Sequence, residues 1–181
     1  MDAMHLIKKM IPKKVKEYIK NQVGKEEKLT RSVEYIVSTS DMEVLANKAI
    51  VVTGSTGAIG SAIAHRLYIE GATVGVCGRN EAKVTQIIER FEKENVSKAG
   101  RLIPIYIDVT DDASIERGIE EFVRQTGKID ALIINAGGGA RSKSKLFWEQ
   151  DIDVIDNVIK TNLRGSLLCA RKAAQTMIGQ G

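Results

Sequence analysis

The sequence predicts an α/β protein with a doubly wound parallel sheet, and two observations favour this fold class. From Ala49 onward, short apolar runs alternate with stretches whose apolar residues recur at helical spacing. This alternation is typical of parallel strands joined by helical crossovers. The short runs are also apolar on both faces, which suits a sheet that helices cover on each side.

Four strands are predicted, over residues 49–53, 73–77, 102–108 and 131–135. The segments between them carry apolar stripes with a period near 3.6 residues, which predicts helices packed on the sheet. We expect the stripe residues in the core: Ile59, Ile63 and Leu67; Val84, Ile87, Ile88 and Phe91; Ile115, Ile119 and Phe122. Asp111 is the expected N-cap of the third helix, and Gly127 its left-handed stop.

Composition describes an ordinary globular protein of 181 residues, of which 43% are hydrophobic and 28% charged. No apolar run approaches the length of a membrane span, and residues 1–22 lack the apolar core and cleavage site of a secretory signal, so we expect a cytoplasmic protein. Two cysteines and two histidines, without clustered carboxylates, predict neither a disulfide framework nor a metal site.

Residues 1–47 differ from the rest and are predicted to form a basic helical extension before a domain over residues 48–181. Six lysines lie within the first twenty residues. A membrane-surface or nucleic-acid arm is one interpretation. We favour a solvated or partner-packing extension, because charge runs are usually solvated faces, and therefore expect no nucleic-acid partner.

The turn after the first strand reads T-G-S-T-G-A-I-G from Thr53 to Gly60. Glycine permits positive φ and close backbone approach, while the start of the following helix offers unpaired N–H groups and the positive end of its dipole. The turn therefore predicts a dinucleotide pyrophosphate site. The predicted binding residues are Thr53, Gly54, Ser55, Thr56, Gly57, Ile59 and Gly60. A glycine-rich turn without a ligand is the alternative, since the spacing is G-x-x-G-x-x-G rather than G-x-G-x-x-G.

The second strand is followed by Arg79, at about the point where a dinucleotide site usually has an Asp or Glu for the ribose 2′-hydroxyl. The planar, permanently charged guanidinium of arginine suits a 2′-phosphate instead. We therefore expect NADP as the cofactor in preference to NAD. An exposed arginine at the start of the next helix is the alternative interpretation.

Two further segments end strands at the same edge, where open α/β sheets bind their ligands. Asp108, followed by Val109, either accepts a hydrogen bond from adenine or fixes the turn that follows. Asn135, Ala136 and Gly137 end the fourth strand, and their small size allows the backbone to lie close to a flat ligand. Asn135 is expected to brace the neighbouring strand, with a plain flexible loop as the alternative.

The last long helix is predicted over residues 151–177, and Asn162 interrupts its inward apolar stripe. A buried amide needs hydrogen-bonding partners. Asn162 therefore either bonds to the backbone or holds a water near the site, and the sequence does not choose between these two roles.

In this order and at these intervals, the glycine turn, Asp108-Val109, Asn135-Ala136-Gly137 and Asn162-Leu163-Arg164-Gly165 resemble the motifs of short-chain dehydrogenases/reductases, over residues 45–181. The resemblance implies a Rossmann fold and reversible hydride transfer between nicotinamide and a small carbonyl or alcohol substrate. It also implies that Arg79 selects NADP, that Asp108 contacts adenine and that Asn162 holds a water in a catalytic proton relay. A homo-oligomer is expected of the complete enzyme.

Two features depart from the family pattern. Members of the classical branch usually carry glycine at the position of Ala58, whereas Gly57 gives the spacing of the extended branch. A sugar-nucleotide epimerase or dehydratase is therefore kept as an alternative. The family's catalytic Ser and Tyr-x-x-x-Lys pair are also missing, because none of the four tyrosines is followed four residues later by lysine.

These missing residues predict that the chain is the front portion of a longer enzyme and carries its cofactor-binding part, so that the sheet of this chain is incomplete and the edge of its fourth strand unpaired. A non-catalytic nucleotide-binding module is the other alternative. Whether the chain itself acts as an enzyme is left open by the sequence.

Overall fold

The computed structural model describes residues 44–94, 100–140 and 143–181. Apart from residues 44–47, the predicted basic extension lies outside this range. The described strands are β1 Ala49–Val52, β2 Thr73–Gly78, β3 Arg101–Tyr106 and β4 Ala131–Ile133. The described α-helices are α1 Ala58–Ile69, α2 Glu81–Lys93, α3 Asp112–Thr126, α4 Ile152–Ile159 and α5 Gly165–Gly179.

The four strands form one parallel sheet in the order β3-β2-β1-β4. In the register of the sheet, Val51 of β1 lies between Gly75 of β2 and Leu132 of β4. Strand order therefore reverses at β1, which is where open α/β sheets leave a crevice at the carboxyl ends of their strands. The doubly wound prediction is confirmed, and β4 lies at one edge of the described sheet as expected.

Two apolar clusters cover opposite faces of the sheet, because successive side chains of a strand point to opposite sides. Val51 packs in the cluster that contains Phe122 of α3 and Cys169 of α5. Val52 packs in the other cluster, with Phe91 of α2 and residues of α1. Both phenylalanines are fully buried, and truncating either to alanine removes about 3–5 kcal/mol of stability by the usual scale for such sites.

Two expectations about burial are wrong. Ile59 is 71% exposed, because the inward face of α1 near its start consists of the small residues Gly60, Ser61 and Ala64. Strand β3 is not covered on both faces, since exposed residues alternate with buried ones along it, and Pro104 is one of the exposed residues. Proline is tolerated there because β3 is an edge strand and lacks one row of partners.

The predicted ends of α3 are confirmed. Asp111 caps its start, accepting a hydrogen bond from the Ala113 N–H at 3.1 Å, and Gly127 ends it with φ of 77°. The single helix predicted over residues 151–177 is interrupted, because the π-helical turn Lys160–Arg164 joins α4 to α5. None of the helices in the described ranges is long and apolar enough to cross a membrane.

Candidate functional site

A cavity of about 590 Å³ lies at the carboxyl edge of the sheet, bounded by the segments that follow all four strands. Eleven of the fourteen predicted site residues line it. They are Gly54, Thr56, Gly57, Ile59, Gly60, Arg79, Asp108, Val109, Asn135, Ala136 and Gly137. Thr53, Ser55 and Asn162 do not line the cavity. The structure thus brings together most of the residues that the sequence singles out.

Two of the glycines are required by close backbone approach. Gly54 has φ of 68°, and a Cβ on it would lie 2.8 Å from Cα of Ala136. A Cβ on Gly60 would collide with the carbonyl oxygen of Gly54 and lie 2.5 Å from Nδ2 of Asn135. The β1 loop, the first turn of α1 and the β4 loop therefore touch through their main chains, which a side chain at either position would prevent.

Gly57 has a different role, because a Cβ there would meet only the carbonyl oxygen of Gly54, at an ordinary 3.4 Å. The space beside Gly57 belongs to the cavity, and a side chain would intrude on a ligand rather than on the protein. Gly57 is also the N-cap of α1, which has no side-chain cap and no acidic residue in its first turn. The N–H groups and the positive dipole end of α1 therefore suit a pyrophosphate.

Thr53 and Ser55 hold the loop from within the protein, where both are almost fully buried. Oγ1 of Thr53 accepts hydrogen bonds from the N–H groups of Asn135 and Ala136, each at 3.0 Å. Oγ of Ser55 donates to the carbonyl oxygen of Val52 at 2.6 Å and accepts from the N–H of Cys77 at 3.2 Å. Their side chains position the loop and do not line the cavity.

Asn135 forms the bracing contact that the sequence predicts. Its Nδ2 donates to the carbonyl oxygens of Thr53 and Gly54, both at 3.3 Å. The side chain thereby satisfies two carbonyls at the end of β1 and fixes the distance between the β1 and β4 loops. The loop after β4 is thus tied at its first residue to the glycine turn.

Asp108 fixes its own turn and also lines the cavity. Its Oδ1 accepts from the N–H of Thr110 at 2.9 Å and from Thr110 Oγ1 at 2.7 Å. Partial burial alone would raise the pKa of Asp108, but these bonds and the charges of Arg79 and Lys160 together hold that pKa below its usual value. Asp108 is therefore ionised near neutral pH and presents an acceptor at the cavity.

Asn162 is exposed, so the prediction that it is buried is wrong. Its Nδ2 donates to the carbonyl oxygens of Gly138 and Val158, both at 2.7 Å, and its Oδ1 accepts from the Gly138 N–H at 3.0 Å. Of the two roles that the sequence left open, bonding to the backbone is present. The π-helical turn widens the helix here, so Asn162 reaches the loop after β4 instead of facing the core.

A family model described as short chain dehydrogenase matches residues 48–181. The chain belongs to the short-chain dehydrogenase family. It is 33% identical over 139 residues to an uncharacterized oxidoreductase of Staphylococcus aureus strain USA300. The aligned residues make up 77% of this chain and 56% of the relative. It is 30% identical over 142 residues to dehydrogenase/reductase SDR family member 1 of Mus musculus. Here the aligned residues make up 76% of this chain and 44% of the relative.

Solved structures of short-chain dehydrogenases have the same fold. The structure of a dehydrogenase/reductase from Sinorhizobium meliloti 1021 matches with a TM-score of 0.67 and 30% identity, covering 78% of this chain and 54% of that one. A short chain dehydrogenase from Mycobacterium smegmatis matches with a TM-score of 0.69 and 25% identity, over 76% of this chain and 54% of that one. The chain therefore spans about half the length of the proteins it matches.

The cavity of this short-chain dehydrogenase also includes residues that the sequence analysis did not select. They are Ala58, Gly78, Lys83, Ile107, Thr110 and Thr161. The sequence did indicate a position for Lys83 near the cavity, because Asn80 is a good N-cap. A helix that begins there has Lys83 in its first turn, near the end of β2. No sequence pattern placed Thr161 at the cavity, because it reaches the cavity from the π-helical turn, which no periodicity predicts.

Neither cysteine supplies a nucleophile to this short-chain dehydrogenase. Burial raises the pKa of Cys77 far above its usual range and that of Cys169 to about 11, so both are neutral thiols near pH 7. Within the described ranges, no group of three His, Cys, Asp or Glu side chains is placed to hold a metal ion. The polar groups of the described residues at the cavity are main-chain N–H groups, two cations, one carboxylate, one amide and the hydroxyls of three threonines.

Proposed function

We propose that residues 48–181 are the cofactor-binding part of an NADP(H)-dependent oxidoreductase that acts on a small carbonyl or alcohol substrate. One observation carries the proposal: the cavity joins the uncapped N-terminus of α1 to the guanidinium of Arg79. These are the two groups that a pyrophosphate and a ribose 2′-phosphate require. When bound, the nicotinamide supplies or accepts the hydride.

The residues of the cavity divide among the parts of this cofactor. The N–H groups from Ala58 to Gly60 bind the pyrophosphate beside Gly57, whose own N–H donates to the carbonyl oxygen of Gly54 at 3.0 Å. Arg79 forms a bidentate pair with the 2′-phosphate. Asp108 and Val109 flank adenine, with the ionised Asp108 carboxylate accepting from its amino group. The main chain from Asn135 to Gly137 lies against the remainder of the dinucleotide, and Thr53 and Ser55 keep the loop in shape.

Asn162 acts at the far end of this arrangement. Its bonds to Gly138 orient the loop after β4, and we assign to it the additional role of holding a water in a proton relay. The proton donors of the family, a Ser and a Tyr-x-x-x-Lys pair, are assigned to a following segment of a longer enzyme, because no tyrosine of this sequence has the paired lysine. A homo-oligomeric, cytoplasmic enzyme stays a prediction.

The sugar-nucleotide epimerase or dehydratase alternative is not favoured, because the family model and the relatives are dehydrogenases, oxidoreductases and reductases. A non-catalytic nucleotide-binding module is the second candidate, because the absence of a Tyr-x-x-x-Lys pair from these 181 residues fits it as well as it fits the front part of a longer enzyme. Reading the gene past the codon for Gly181 separates the two. A downstream Tyr-x-x-x-Lys supports the oxidoreductase, and a stop codon supports the module.

Calorimetric titration of the chain with NADPH and with NADH tests the cofactor assignment. We expect tighter binding of NADPH, by about tenfold or more, because a hydrogen bond to a charged group contributes roughly 1.5–3 kcal/mol. Arg79→Gln is expected to reduce this preference by about tenfold or more while leaving the affinity for NADH unchanged. Arg101→Gln is the matched control, since exposed Arg101 begins β3 at the opposite edge of the sheet. Equal affinity of the unaltered chain for the two cofactors would contradict the role of Arg79.

A further inference from the structure

The cavity wall beside Arg79 carries a second cation, Lys83. Both residues lie at the junction of β2 and α2, and Lys83 is in the first turn of that helix. Its main chain is held by the cap of the helix, because Oδ1 of Asn80 accepts from the Lys83 N–H at 3.0 Å. The lysine therefore projects from a fixed point of the backbone.

The surroundings of this junction are closely packed. A Cβ on Gly78 would lie 2.7 Å from Cγ2 of Thr56 in the glycine turn and 3.0 Å from Cγ2 of Val84 in α2. The end of β2, the start of α2 and the glycine turn thus form one wall. Arg79 and Lys83 reach the cavity from that wall, close to the N-terminal end of α2 and the positive end of its dipole.

The two cations differ in how far their charge is already balanced. Asp108 is the one carboxylate among the described residues that line the cavity, and the charge of Arg79 contributes to the lowered pKa of Asp108. Lys83 makes no such contribution. Within the described ranges, Lys83 also forms no ion pair with a carboxylate, unlike Lys145 with Asp151 or Lys172 with Glu120. Among the same described residues Arg79 forms no ion pair with a carboxylate either, and the two cations differ in that only Arg79 contributes to the lowered pKa of Asp108.

We infer that Lys83 is a second specificity-determining residue, which binds a phosphomonoester on the ribose together with Arg79. The inference rests on the proposed NADP function and adds a residue to it. A phosphomonoester carries a charge of about −1.5 to −2 near pH 7, more than one cation neutralises. The guanidinium of Arg79 pairs with two of its oxygens, and the compact ammonium of Lys83 pairs with the third. The uncharged 2′-hydroxyl of NADH gains little binding energy from Lys83. The lysine therefore contributes to the selectivity for NADPH over NADH.

The test compares NADPH with NADH, which differ by the 2′-phosphate, in calorimetric titrations of the whole chain. Lys83→Gln is expected to weaken NADPH binding by about tenfold, the scale of one charge-assisted bond, and to leave NADH binding unchanged. It also lowers the salt dependence of NADPH affinity, since one fewer charge is paired. Lys83→Arg is expected to retain most of the preference because it keeps the charge.

Lys93→Gln is the matched control, since Lys93 is exposed in the last turn of the same helix and its loss changes the net charge equally. Three outcomes overturn the inference about Lys83: an unchanged preference in Lys83→Gln, an equal loss of both cofactors, or an equal effect of Lys93→Gln. If Arg79→Gln then still abolishes the preference, the proposed function stands without Lys83. If the unaltered chain binds neither cofactor, or both equally, the NADP assignment itself fails and the inference fails with it.

Discussion

The glycine turn and the loop around Gly138 both border the cavity, but the side chains that hold them differ in their exposure to water. On the β1 side, the hydroxyl of Thr53, which is 1% exposed, joins the glycine turn to the N–H groups of Asn135 and Ala136. On the other side, the exposed Asn162 holds Gly138 through a reciprocal amide pair. Both arrangements consist of hydrogen bonds between a side chain and the backbone, yet the side chain is almost fully buried in one and exposed in the other.

This comparison predicts different consequences of losing each contact. A buried N–H group that loses its acceptor keeps the full desolvation cost, whereas an exposed one exchanges its partner for water. The glycine turn is therefore expected to be rigid, and the loop around Gly138 to open locally. A rigid glycine turn beside a more easily opened loop suits the proposed binding of a cofactor that is held most firmly at its pyrophosphate.

The segment after Asn162 is well anchored, although Asn162 itself is exposed. Gly165 is buried and lets the start of α5 approach closely, because a Cβ on it would lie 2.6 Å from the carbonyl oxygen of Val109. Arg164 forms a bidentate pair with Asp112 at 2.7 Å for each bond, and these bonds lower the pKa of Asp112. Because both side chains are largely exposed, the pair orients the turn more than it stabilises the fold.

The largest effect is expected from Gly60→Ala, where the added methyl group collides with the carbonyl oxygen of Gly54 and with Asn135. Overpacking of this kind costs about 3 kcal/mol. The Tm should then fall by roughly 6–12 °C, since about 1 kcal/mol corresponds to roughly 2–4 °C in a chain of this size. Gly57→Ala is the control, because its methyl group enters the cavity. It should retain most of the stability and lose affinity for the dinucleotide, and a matching fall in Tm would refute this distinction.

Thr53→Val is expected to have the next largest effect. Valine keeps the shape of the side chain but removes the acceptor for two N–H groups, those of Asn135 and Ala136. Leaving these two part-buried donors unsatisfied costs about 1–3 kcal/mol in total, and chemical denaturation measures the loss of unfolding free energy. Thr53→Ser keeps the hydroxyl and should recover more than half of that loss. If serine and valine destabilise the chain equally, the hydrogen bonds are not the reason for threonine at this position.

The smallest effect is expected from Asn162→Ala, which removes an exposed pair. Global stability should change by about 1 kcal/mol or less. Hydrogen exchange is the sharper measurement, because the Gly138 N–H donates to Asn162 Oδ1 and should lose its protection selectively. Asn157→Ala, an exposed position of α4 one turn earlier, is expected to leave that protection intact. Unchanged exchange at Gly138 in Asn162→Ala would contradict the comparison between the two loops.

Local rules predicted much of the fold and most of the cavity. Strand positions followed from short apolar runs, and the caps Asp111 and Gly127 followed from the chemistry of helix ends. The carboxyl-edge rule selected the residues after each strand, so Arg79, Asp108 and Asn135 were found together at the cavity. The prediction of burial was wrong where it was based on helical periodicity without knowledge of the packing. Ile59 continues an apolar stripe, but small residues lie against the sheet at that end of α1, which turns Ile59 outward.

Sequence alone determined that this chain is a doubly wound α/β protein and which loops meet at the edge of its sheet, because alternating strands and helices imply parallel strands, whose carboxyl ends lie at one edge. Only the tertiary structure decided which of those residues line the cavity. The buried side chains of Thr53 and Ser55 support the turn, Lys83 joins Arg79, and a π-helical turn carries Asn162 from the core to the loop at Gly138. These assignments depend on contacts between segments that are far apart in the sequence, and no local pattern contains that information.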